Sequence, residues 1–134
     1  MYNKKFVAAV AQISPVYPLN CEATIEKAGE YISRAAKEGA KLIIFPECFL
    51  PAYPNWSIDL NNPKQWANNL LELTKNSVCA DGAEINKFCT MARQHSIFIV
   101  NLAERNLASK KFYTSFILVV LSLSYFLVRK NIYN

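Results

Sequence analysis

Residues 39–56 read GAKLIIFPECFLPAYPNW. A glycine and a short apolar run over residues 42–45 predict a strand, and Pro46 ends it. The run delivers Glu47, the only acid between Glu38 and Asp59, into a loop rich in proline and aromatic side chains. Sites in open α/β sheets are built at the carboxyl ends of strands. A carboxylate there is costly to desolvate unless something compensates it. Spacing alone leaves two readings of Glu47 open: a solvated turn residue, or a working acid–base group.

The flanking sequence supplies the layers. Residues 6–13 form a continuous apolar run closed by Ser14-Pro15, which predicts a strand buried on both faces of a sheet. Asn20 is placed to cap the helix that follows. Glu22 and Glu26 put acid near its start, and Ile25, Ala28, Ile32 and Ala35 recur on one helical face. Gly39 suits the position just past the helix end. Strand, helix, strand in that order argues a parallel pair with a right-handed crossover, and hence an α/β fold.

Residues 46–60 read as loop. Tyr53, Pro54 and Trp56 there either line a substrate pocket or form a packed lid or oligomer contact. Pro63 opens a second helix running to about Asn76, with Trp66, Leu70, Leu71 and Leu73 apolar. A third helix is expected over residues 83–94, with Ile85, Phe88, Cys89 and Ala92 as a core stripe. His95, the lone histidine, reads as a C-terminal cap rather than a metal ligand. Residues 97–102 then make another strand.

Composition excludes several classes. The 134 residues suit one domain, and a 52% hydrophobic content is ample for a core. The net charge of +5 comes from scattered bases with no basic stripe, which argues against a nucleic-acid surface. Cys21, Cys48, Cys79 and Cys89 match neither a metal pair nor a disulfide framework, so reduced thiols and a cytoplasmic location are expected, with no metal. The apolar run near the start is too short for a signal-peptide core.

Residues 112–128, FYTSFILVVLSLSYFLV, carry no charge and are flanked by Lys110-Lys111 and Arg129-Lys130. As a helix they would span roughly 25 Å, a little short of the ~30 Å hydrocarbon core. By charge and length the stretch therefore reads as a borderline membrane segment. The chain divides accordingly into residues 1–111 and an apolar tail, residues 112–134.

The opening stretch resembles the first signature of the nitrilase branch of the carbon–nitrogen hydrolase superfamily, on Gly39, Leu42, Ile43, Phe45, Pro46, Glu47, Leu50, Tyr53 and Pro54. It departs at Ala52, where the family usually has glycine. Residues 6–36 and 97–106 are similar to the family's opening strand and helix and to its third strand. The resemblance implies a partial α-β-β-α sandwich and hydrolysis of a small nitrile or amide through a covalent cysteine intermediate, without a cofactor. Glu47 matches the general base. Residues 113–120 look like the family's fourth strand, and FLVRK at residues 126–130 is similar to the approach to the family's catalytic lysine, which would make Lys130 the group that stabilises developing charge, but the Asp-Gly turn expected between them is absent. None of the four cysteines sits in the nucleophile's context. A truncated domain, inactive alone, is the resulting expectation, with homo-oligomers implied for the full family. The rival reading is non-enzymatic: a fragment that binds a partner or a membrane through residues 112–128.

Overall fold

The computed structural model describes residues 5–55, 61–79, 82–106, 112–119 and 125–129. Strand β1 (Val7–Val10) leads by a loop into helix α1 (Cys21–Lys37), which returns the chain to β2 (Ala40–Ile44). The start of α1 is set by Asn20, whose Oδ1 accepts a hydrogen bond of 2.9 Å from the Ala23 amide. Buried Thr24 ties the incoming loop to that first turn. Its hydroxyl donates to the Asn20 carbonyl at 2.8 Å and accepts from the Val16 amide at 3.0 Å. Gly39 leaves the helix at φ +85°, a left-handed conformation that favours glycine.

Helix α2 (Pro63–Asn76) is capped by Asn62, which accepts from the Gln65 amide at 3.0 Å, and has proline in its first turn. Helix α3 (Ala83–His95) follows, then β3 (Phe98–Asn106), β4 (Phe112–Val119) and β5 (Tyr125–Arg129). The strands lie side by side in the order β1-β2-β3-β4-β5. The first three are parallel and the last two antiparallel.

Helices α1 and α3 cover one face of this sheet. Ile25, Ala28 and Ile32 of α1 meet Ile85, Phe88 and Ala92 of α3 over Ile43, Phe45, Ile97 and Ile99. The ring of Phe45 stacks on Phe49 at 5.1 Å and meets the edge of Phe88 at 6.2 Å, joining strand, loop and helix in one cluster.

Three expectations are corrected. The first strand is shorter than residues 6–13 and is not buried on both faces: Val7 is 54% and Val10 76% exposed, because α1 and α3 pack on one face and β1 is an edge strand. A register irregularity between Val7 and Ala8 further limits its pairing. The tail is not one membrane-crossing helix. It forms β4 and β5, paired antiparallel, and among the described residues no helix is long and apolar enough to cross a membrane. His95 is the last residue of α3, and the cap is Ser96 at φ 51°, whose amide donates to Ala92 and Arg93 carbonyls.

Candidate active site

The turn that carries Glu47 is fixed from beneath. Beyond Ile44 the Phe45 amide donates to the Val100 carbonyl at 2.9 Å, extending the β2–β3 pairing by one step. Pro46 then directs the chain into a turn at Glu47 and Cys48, where Cys48 takes φ 51°. Cys48 is 2% exposed and points inward, whereas Glu47 is exposed; the two neighbours face opposite ways. Buried Phe49, Leu50 and Ala52 anchor the descending limb. Among the described residues Glu47 makes no hydrogen bond or ion pair, so its carboxylate is held at the strand end by its backbone and not by a partner.

Tyr53, 55% exposed, lines a cavity of about 270 Å³ with Tyr17, Leu19, Ala52, Asn69 and Leu73. Neither Glu47 nor Pro54 lines it. Trp56 and Lys130 lie outside the described residues. No group of three His, Cys, Asp or Glu side chains among the described residues could hold a metal ion.

The cysteines are unbridged. Burial pushes the Cys21 thiol up to about 11, with the Glu84 carboxylate adding to the rise and Lys87 opposing it. Cys89 is also raised, mainly by burial. Such thiols stay protonated at neutral pH and are poor nucleophiles.

Sequence reading missed Asn101. It is 2% exposed, and neither its amide nitrogen nor its oxygen has a hydrogen-bond partner. Continuing the Ile44–Val100 register by one step sets it beside Phe45, two residues before Glu47. Its signal was there: one polar side chain inside the apolar run at residues 97–102. Buried amides are rarely left unpaired, and those that are call for an explanation.

The comparison that decides the family spans nearly the whole chain: the model of the family described as carbon-nitrogen hydrolase matches residues 7–130. The chain belongs to the carbon–nitrogen hydrolase family. Within this family it falls in the nitrilase branch. It is 37% identical over 109 residues to an arylacetonitrilase of Aspergillus niger, covering 78% of this chain and 30% of the relative. It is 39% identical over 105 residues to a nitrilase of a Bacillus species, again 78% and 30%, and 36% identical over 95 residues to a cyanide hydratase of Microdochium sorghi, covering 71% and 25%. The 134 residues thus match only about a third or less of each of these relatives. Solved structures agree on the fold. An amidase of the nitrilase superfamily from Nesterenkonia AN1 superposes with a TM-score of 0.67 at 18% identity, covering 95% of this chain and 44% of that one. The NitFhit protein of C. elegans gives 0.65 at 20%, covering 92% and 27%. The architecture is therefore part of a nitrilase-type α-β-β-α sandwich.

Proposed function

We propose that residues 1–134 carry the general-base part of a nitrilase-type hydrolase, with Glu47 taking the proton from a cysteine nucleophile that these residues do not themselves supply. The observation that carries this reading is the placement of Glu47: an unpartnered carboxylate at the carboxyl end of β2, in a turn anchored by buried Phe45, Phe49 and Leu50. A general base must reach the proton it removes without being tied up elsewhere. Enclosure by further parts of a domain would desolvate the carboxylate and raise its affinity for that proton.

The reaction class is attack of a thiolate on the carbon of a small nitrile or amide, then hydrolysis of the covalent intermediate. The relatives' names, nitrilase, arylacetonitrilase and cyanide hydratase, favour nitriles as the substrate class. A fixed ammonium would stabilise the charge that develops on the attacked centre, and Lys130 is the proposed donor. Tyr53, Pro54 and Trp56 are proposed to line the substrate side, supported by the exposure of Tyr53 and the cavity beside it. No cofactor enters this chemistry.

Because nucleophile, base and lysine act as a unit, the 134 residues alone are expected to be inactive. Ammonia release from phenylacetonitrile and from cyanide by the purified chain tests this, with no turnover above background expected. Turnover lost in Glu47→Gln would overturn the inactivity while keeping the base. Turnover that survives Glu47→Gln would overturn the assignment of Glu47.

A further inference from the structure

Two polar residues are buried among the described residues, and they differ. The Thr24 hydroxyl both donates and accepts, whereas the Asn101 carboxamide has a partner at neither Nδ2 nor Oδ1. An unpaired buried amide costs stability, and one kept in an apolar strand calls for a use.

The register says which groups it lies among. Ile43 pairs with Ile99, and both belong to the core under α1 and α3. With a period of two along each strand, Phe45 and Asn101 fall on that same face, side by side at the next matching step. The Phe49 ring then stacks back on Phe45 at 5.1 Å, so residues 46–48 arch over the strand end on the side that holds Asn101. Strand spacing and rise put the Cα of Glu47 on the order of 8 Å from that of Asn101, a gap that a glutamate and an asparagine side chain together can close.

We propose that Asn101 is the positioning residue for Glu47: once the rest of a domain encloses the turn, its Nδ2–H donates to one carboxylate oxygen and leaves the other for the proton of the nucleophile. The inference rests on the reading of Glu47 as the general base. Each group supplies what the other lacks. Glu47 is exposed, without a donor among the described residues, and would be desolvated on enclosure, while Asn101 has buried donors without an acceptor. A base in nucleophilic catalysis is commonly oriented by a third group, and a carboxylate fixed through one oxygen keeps the second one aimed. Asn101 acts only through Glu47.

The test is a chimera in which residues 7–106 replace the aligned segment of the Aspergillus niger arylacetonitrilase. Asn101→Leu keeps the size and removes the donor, and should lower kcat roughly tenfold to a hundredfold with KM changed by less than about twofold. Asn101→Ser keeps a donor but leaves a larger void. Packing alone ranks it below Asn101→Leu, whereas the proposed bond ranks it above, by about fivefold or more in kcat. In the Glu47→Gln background Asn101→Leu should cost nothing further. An unchanged kcat in Asn101→Leu while Glu47→Gln stops turnover, or an Asn101→Ser form slower than Asn101→Leu, overturns the proposal and leaves Glu47 in its role. Turnover that survives Glu47→Gln overturns the base itself, and this proposal with it. If the chimera folds without turnover, urea midpoints decide. Asn101→Leu should lower the midpoint of the chimera while raising that of the 134-residue chain, and a rise in both overturns the proposal. So does a chimera that folds only as Asn101→Leu.

Discussion

Asn101 and Glu47 stand close in the strand register and carry opposite costs. Glu47 is solvated and pays no desolvation penalty as the chain stands, so its replacement by Gln should change stability by no more than about 0.5 kcal/mol. Asn101 is buried with both amide atoms unpaired. Replacing it with Leu removes an unsatisfied group of similar size, and should stabilise the chain on the order of 1 kcal/mol in urea unfolding. A loss of stability of that size would mean that the amide is satisfied in solution. Glu47 was legible because a lone acid after an apolar run and Pro46 is conspicuous, and because the residues around it match a family signature. Asn101 was passed over because one amide in an apolar strand looks unremarkable until its burial and missing partners are known. Glu47 and Cys48 sit in a turn beyond β2, and the left-handed backbone at Cys48 has no sequence signal, since glycine usually marks such a position.

At the scale of elements, α1 is held by local chemistry that its sequence displays. Asn20 and Gly39 bound it as their residue types predict, and its apolar face meets α3. Less visible was Thr24, which reaches back to Val16 over eight residues and locks the loop after β1. Thr24→Val leaves the Val16 amide unpaired and should cost about 1–3 kcal/mol, read as a lower urea midpoint at unchanged slope. Helices α1 and α3 are also joined outside the core by Lys87 and Glu22 at 2.8 Å. The hydrogen bond to Lys87 holds the Glu22 carboxyl below its ordinary 4.5, and the same bond to Glu22 holds the Lys87 ammonium above its ordinary 10.5. The sign is set by which state holds the proton. Glu22 favours the folded chain above pH 4.5, an advantage lost as pH falls through its lower folded value. Lys87 favours it below pH 10.5, until pH rises through its higher folded value. A Lys87→Met chain should therefore lose less on acidification below pH 4.5 than the wild type, with the difference fading at high salt. Equal acid sensitivity of the two chains would contradict a contribution from this pair. The tail shows where periodicity fails: seventeen uncharged residues fit a helix by length, and their division into β4 and β5 depends on the β3 edge that pairs with β4.

At the scale of the molecule, the sequence announced α/β layering through its strand–helix–strand order, and the sheet order follows from it. What it did not announce is one-sidedness. A run such as that at residues 6–13 reads the same whether helices cover one face of a strand or both, and only the packing of α1 and α3 on a single side exposes Val10. The same one-sidedness leaves Glu47 facing solvent at the rim of a sheet that, in this family, belongs to a sandwich. The claim that this rim is half of a catalytic site is most directly tested in a complete domain. Residues 7–106 would replace the aligned segment of the Aspergillus niger arylacetonitrilase, and hydrolysis of an arylacetonitrile would be followed. The predicted result is a chimera that turns over the nitrile and loses about 10³-fold or more of its kcat in Glu47→Gln. A folded, active chimera whose Glu47→Gln form works equally fast would contradict it.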